Sequence, residues 1–251
     1  MSHDNEANHP SAADLEGLAA VVPAAGIGSR MGADRPKQYL TLQGRFLLDI
    51  TLARLRGLLP RVPIHVGLHA EDRWWEDSES ARLDGVFPFQ GGPSRADTVR
   101  LGLDILSVGN ETEQVLVHDV ARPCITAGDI MKLLRSGCSP HGGLLVAAIA
   151  DTVKEVDMHS RVTGTRDRNQ LRRALTPQLF PLITLREALR SALSQGVEVT
   201  DESSAMELLG FAPVAVEGRA DNIKITRPED LDLAAWYLQR QENEQGNHPL
   251  C

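Results

Sequence analysis

Residues 18–37 constrain the fold more than any other stretch of this chain. The apolar run at 18–22 leads directly into a loop carrying Gly26, Gly28 and Gly32, with Arg30 and Lys37 close behind. A short apolar run ending in glycines reads as a buried strand feeding a turn. Glycine lets backbone N–H groups approach a ligand with no Cβ in the way, and successive N–H groups form a concavity that takes anions. The glycines alone equally suit a plain strand-to-helix turn. Two cations on so short a loop, with Pro36 stiffening the approach, favour a nucleoside triphosphate site, where they can stabilise charge developing on phosphate oxygens.

Two better-known phosphate loops do not match. A dinucleotide fingerprint has glycine or alanine where Met31 stands, and Gly32 comes one residue late. A P-loop needs Gly-Lys-Ser/Thr, whereas Lys37 is followed by Gln38.

Further apolar runs at 62–68, 86–89, 114–118, 144–149 and 213–217 join the first, at 18–24, as strand candidates. Between them Leu48, Leu52, Leu55 and Leu59 keep helical spacing, as do Leu185, Ala188, Leu189 and Ala192. Thr226-Arg227-Pro228-Glu229 reads as a capping box opening a final helix over 231–239. Such alternation predicts an α/β fold with a doubly wound parallel sheet covered on both faces. Ligands of such sheets lie beyond the carboxyl ends of the strands, where the glycine loop falls. The polar stretch 151–169 breaks the pattern and reads as a two-stranded hairpin, marginal unless it packs on something, and periodicity alone suits a mobile surface loop and a dimerisation arm equally.

At 251 residues the chain suits a single domain over 18–240. Residues 1–17 are polar and acidic, resemble neither a signal nor a transit peptide, and are expected to be disordered, like the tail 241–251. A formal net charge of −8 leaves no basic footprint for nucleic acid, and no apolar run is long enough for a membrane span. Cys124, Cys138 and Cys251 show neither a paired framework nor zinc spacing, which suits a reducing, cytoplasmic setting.

Three more stretches carry chemistry. The run 115–123 delivers Asp119 to the end of a buried strand, with Arg122 just after; taken alone a carboxylate there suits capping the following turn, and it can also hold Mg²⁺. His118 reads as strand-end packing. Residues 217–226 add Asp221 and Lys224. Residues 91–99, containing Gly92, Arg95 and Thr98, form a glycine turn entering a helix, whose N-terminus suits anions or polar base edges.

Together these stretches resemble the 2-C-methyl-D-erythritol 4-phosphate cytidylyltransferase family over roughly residues 18–240. The family loop P-A-A-G-x-G-x-R-M stands at 23–31 and its P-K-Q-Y at 36–39. H-D-A-A-R-P stands at 118–123 with Val120 for an alanine, A-L-T-P-Q at 174–178, T-D-E-x-S-A at 200–205 and D-N-I-K at 221–224. Thr98 stands where serine is usual. The resemblance implies a mostly parallel, Rossmann-like sheet of nucleotidyltransferase type, with a protruding β-arm. It also implies transfer of CMP from CTP to a polyol phosphate. Catalysis would fall to Arg30, Lys37, Arg168 and Lys224, and nucleotide binding to Ala24, Ala25, Gly26, Gly28, Gly92, Arg95 and Thr98. Arg122, Thr152, Arg168, Thr176 and Lys224 would take the acceptor, while Asp119 and Asp221 would hold Mg²⁺. The 151–169 arm would cross to a second subunit in a homodimer.

Overall fold

The computed structural model describes residues 10–26, 35–109 and 111–246. In chain order the elements are β1 (Leu18–Pro23), β2 (Thr41–Leu42), β3 (Arg45–Phe46), α1 (Leu47–Leu58), β4 (Ile64–Leu68), β5 (Val86–Gln90), α2 (Arg95–Leu106), β6 (Gln114–Val117) and α3 (Ala127–Gly137). There follow β7 (Gly143–Ala148), β8 (Val153–Val156), β9 (Val162–Arg166), β10 (Arg172–Pro181), α4 (Leu182–Ser194), α5 (Glu202–Leu208), β11 (Val214–Glu217) and α6 (Glu229–Gly246).

Seven strands form the main sheet in the order β11-β7-β10-β6-β1-β4-β5. Every expected strand is present, and alternation along each one splits the core into two layers. Ala20 and Val22 of β1 face a cluster with Leu48, Leu52 and Leu55 of α1 and Ile130 and Leu133 of α3. Ala19 and Val21 face the other side, with Val99 and Leu103 of α2 and Leu185 and Leu189 of α4. A smaller cluster seats Ala234 and Leu238 of α6 against Leu47, Ile50 and Ala121.

One strand of the main sheet is missing from the sequence-based set, as are the two short strands β2 and β3. β10 lies between β6 and β7 and runs antiparallel to both. Arg172, Arg173 and Pro177 argue against an interior strand, because proline cannot donate to the ladder. The sheet tolerates Pro177 because the β10–β7 register shifts between Ala174 and Gln178, where pairing is interrupted. Running backwards, β10 carries its first half to the same edge of the sheet as the carboxyl ends of its neighbours.

Two boundaries and one cap also differ from expectation. Part of the leader expected to be disordered forms a 3₁₀ turn, Ala13–Leu15, and Leu15 packs on the core. α6 extends to Gly246, beyond the expected 239. Its entry is capped by Asp230 rather than Glu229: the Asp230 carboxylate accepts from the Thr226 and Arg227 N–H groups at 2.8 and 2.9 Å.

The 151–169 arm is a hairpin, with β8 antiparallel to β9. Its turn is closed by Asp157, whose carboxylate accepts from the His159 and Arg161 N–H groups.

Candidate active site

The ends of β1 and β6 and the start of α2 enclose a cavity of about 300 Å³. Ala24, Ala25, Gly26, Lys37, Gly92, Arg95, Thr98, Asp119 and Lys224 are among its lining residues. Among the described residues a Cβ placed on Gly26 would meet no atom within 4 Å, so on that side the backbone is open to a ligand. Gly92 has the opposite reason to be glycine: a Cβ there would lie 2.5 Å from the Asp97 Cβ. Thr98 is buried beneath this turn, its hydroxyl accepting from the Gly92 N–H at 3.1 Å and donating to the Ser94 carbonyl at 2.9 Å. It therefore shapes the wall of the expected base pocket with its hydroxyl already engaged. Gly28 and Arg30 lie outside the described residues.

Lys37 opens a 3₁₀ turn whose next two residues pin it in place. Gln38 Nε2 donates to the Ala24 carbonyl at 2.7 Å, tying the turn to the end of β1. The Tyr39 hydroxyl donates to Asp72 at 2.9 Å while its ring stacks on Trp74. Burial and the neighbouring Asp72 push the Tyr39 phenol well above its usual range, so it stays protonated.

Asp119 is the hub of the site. One carboxylate oxygen accepts from Arg95 Nε at 2.8 Å, and the other faces Lys224 Nζ at 2.7 Å and Arg122 Nε at 3.8 Å. Burial alone would raise its pKa, but Arg95 and Lys224 outweigh burial and hold the carboxyl far below the usual range. Its backbone N–H donates to the Thr176 hydroxyl at 3.0 Å, and that hydroxyl lies 3.1 Å from His118 Nδ1. The Thr176 proton therefore goes to Nδ1, which leaves Nε2–H to donate to the Arg122 carbonyl at 3.0 Å. His118 is thus a neutral, fully buried brace, its pKa pushed down to about 4 chiefly by burial.

A second cavity of about 200 Å³ adjoins the first and shares Arg95, Asp119 and Lys224 with it. Arg122, Thr176, Gln178 and Asp201 complete much of its wall. Arg122 spends its terminal nitrogens on the carbonyls of Asn222 (2.8 Å) and Ala174 (3.4 Å), leaving Nε without a hydrogen-bond partner among the described residues. Thr176 likewise has its hydroxyl committed, so towards an acceptor it works as a brace more than as a free donor.

Three expected site residues are not brought to these cavities. Asp221 lines neither one. Arg219 grips both its oxygens at 2.6–3.1 Å, and Gln241 donates to it at 3.2 Å. Of the expected metal pair, only Asp119 faces the site, and the described residues hold no group of three or more metal-binding side chains. Thr152 and Arg168 sit on the exposed arm, away from both linings of their own chain, with Arg168 donating to the Ala150 carbonyl.

Two residues with no role in the sequence reading are built into the site. Gln178 accepts from the Ser203 N–H and donates to Asp201, locking α5 against β10. Glu202, fully buried, grips Arg95 through both its oxygens at 2.7 and 3.0 Å. The A-L-T-P-Q and T-D-E-x-S-A elements contained both residues, but nothing in either motif says what its side chain touches.

The family model for 2-C-methyl-D-erythritol 4-phosphate cytidylyltransferase (IspD) matches residues 18–240. The chain belongs to this family. It is 47% identical over 233 residues to the Aeromonas hydrophila subsp. hydrophila 2-C-methyl-D-erythritol 4-phosphate cytidylyltransferase, covering 93% of this chain and 94% of that one. Against the Haemophilus influenzae relative of the same name, identity is 44% over 226 residues, or 90% and 98% of the two chains. The Francisella tularensis IspD crystal structure superimposes with a TM-score of 0.75 at 34% identity, covering 88% of this chain and 99% of that one. The 4-diphosphocytidyl-2C-methyl-D-erythritol synthase structure from Anaerococcus prevotii gives 0.78 at 27% identity, covering 92% and 100%. The matched span takes in β1 through most of α6, and with them both cavities. Among the described residues no helix is long and apolar enough to cross a membrane.

Proposed function

We propose that this chain transfers CMP from CTP to 2-C-methyl-D-erythritol 4-phosphate, giving 4-diphosphocytidyl-2-C-methyl-D-erythritol and pyrophosphate in non-mevalonate isoprenoid precursor biosynthesis. The observation that carries this reading is the pair of adjoining cavities hinged on Asp119, Arg95 and Lys224, within a chain matched to the family over its full domain. One cavity holds the glycine backbone and Lys37, as a nucleotide requires; the other holds Arg122 and a second face of Lys224, as an acceptor phosphate requires.

A phosphate monoester has a second pKa near about 6 and is already mostly dianionic at neutral pH, so the acceptor needs no general base. What the reaction needs is alignment and neutralisation of negative charge at the α-phosphorus and on departing pyrophosphate. Lys37, held by its anchored turn, and Arg30 would stabilise that charge, while Lys224 and Arg122 would steer the acceptor phosphate. Asp119 fits Mg²⁺: it is an ionised oxygen donor facing the cavity, and this ion is commonly held by one carboxylate plus substrate phosphates. The ion would neutralise triphosphate charge. Asp221, gripped by Arg219, is not part of that set.

The arm supplies the rest of the reading. Val156, Met158 and Val162 are exposed on a hairpin that also carries Thr152 and Arg168. Burial of that apolar surface in a homodimer would bring the partner's arm towards this chain's acceptor cavity. A cytoplasmic setting agrees with Cys124 and Cys138, both free thiols.

Pyrophosphate release with Mg²⁺ and CTP tests the proposal, comparing methylerythritol 4-phosphate with ribitol 5-phosphate as acceptor. Release with the first acceptor alone is expected. Release with ribitol 5-phosphate alone would keep the chemistry and overturn the pathway. Lys37→Ala should fold normally and lose about 10²–10³ in turnover, as when one preorganised charge stabiliser is removed. Near wild-type activity in that variant would remove Lys37 from the mechanism.

A further inference from the structure

We infer that Glu202 is a positioning residue for this reaction, holding Asp119 in its working geometry through Arg95. The inference rests on the transferase reading above and adds to it a residue that lines neither cavity itself.

A guanidinium beside a carboxylate ordinarily prefers the bidentate fork. At Asp119 that fork is not used. Arg95 spends both terminal nitrogens on Glu202, at 2.7 and 3.0 Å, and offers Asp119 only its Nε, at 2.8 Å. One Asp119 oxygen is thereby left to Lys224, which faces both cavities. Glu202 acts as a competitor: it takes the fork so that Asp119 is held at a single point.

Its own placement is costly. Glu202 is fully buried, and Arg95 is its hydrogen-bonding partner among the described residues. A buried ion pair is weak evidence for stability, since apolar residues of similar volume often serve as well. What apolar residues could not do is set the orientation of the guanidinium. Glu202 can do so because Asp201 caps α5 in a reciprocal capping box with Ser204, and Gln178 clamps the same turn to β10. With the Glu202 carboxylate replaced by an amide, Arg95 is free to pivot its fork onto Asp119 and draw the carboxylate away from Lys224.

The test uses the full chain and follows turnover, KM for CTP and thermal unfolding together. Glu202→Gln should lower kcat about tenfold to a hundredfold while KM for CTP moves less than about threefold. Arg95→Met should also lose turnover, and the Arg95→Met/Glu202→Gln double variant should be no worse than Arg95→Met alone, because both changes break one relay. Glu202→Asp keeps the buried charge but is one methylene too short for the fork; it should remain folded and lose turnover. The inference is overturned by folded Glu202→Gln or Glu202→Asp turning over within twofold of wild type. It is equally overturned if the losses from Arg95 and Glu202 multiply independently, or if lost activity merely tracks the unfolded fraction. Wild type measured alongside separates the two levels: its inactivity sinks the transferase reading, whereas an active wild type with unimpaired Glu202 variants sinks only the relay.

Discussion

His118 links a strand end to the site without touching a cavity, and its chemistry makes stability depend on pH. Its ring is neutral in the folded protein, with a pKa near 4, against about 6.5 when exposed. Between those values the unfolded chain binds a proton that the folded one refuses, so stability falls as pH drops through that window. The contribution from this one ring should shrink by about 2 kcal/mol between pH 7 and pH 5. Urea unfolding at the two pH values checks this against His118→Gln, which cannot titrate. The variant should be less stable at pH 7 but lose less on acidification; an equal loss in both proteins would mean that another group controls the slope. The reason for this arrangement lies next door. A charged imidazolium would take the Nδ1 lone pair from Thr176 and loosen the hydroxyl that holds the Asp119 backbone.

At the scale of elements, the approach of α2 to β4 decides the shape of the larger cavity, the one proposed to take the nucleotide. Gly67 of β4 leaves room for this: a Cβ there would lie 2.3 Å from the Thr98 methyl and 2.9 Å from the Phe89 ring. Gly67→Ala must therefore push α2 outwards, at a cost of about 1–3 kcal/mol for an overpacked core. Because Thr98 holds Gly92, CTP affinity should fall with stability. Calorimetric titration and urea unfolding would reveal both changes; unchanged CTP binding would show that the 91–94 turn keeps its shape without support from Thr98. α1, α4 and most of α6 were legible in the sequence from apolar spacing or a cap, and the parallel strands from short apolar runs, whereas α3 and α5 were not. β10 was not, since its first half is polar and a proline interrupts its pairing. The cavity proposed for the acceptor depends on that strand, so this half of the site was visible as a motif but not as a place.

For the whole molecule, the arm poses the main question. A two-stranded hairpin is marginal on its own, and this one exposes Met158 almost completely, at 92%. Sedimentation should show a dimer, and Val156→Ser/Met158→Ser/Val162→Ser should shift it to monomer. The monomer should bind CTP normally and lose use of the acceptor, because Thr152 and Arg168 would no longer reach a partner's cavity. Arg168→Ala should reproduce the acceptor defect in a protein that still dimerises. A fully active monomer would overturn the shared-site arrangement.

The sequence alone determined what short-range chemistry can dictate: the alternation of buried strands and amphipathic helices, the glycine loop after β1, the hairpin arm, and the residue types that the reaction needs. These follow from spacing, from conformational preference and from a family pattern carried in consecutive residues. Tertiary structure decided which of those residues act together. Asp119 and Asp221 look equivalent as strand-end carboxylates, but only the first lines the cavities, while the second is paired with Arg219. Arg95 and Thr98 look like ligand contacts, yet one is gripped by Glu202 and the other braces Gly92. Glu202, 107 positions from Arg95, could not be paired with it from sequence, because that contact exists only once α5 has docked beside the start of α2. Partners so far apart along the chain are chosen by packing, and packing is a property of the folded whole.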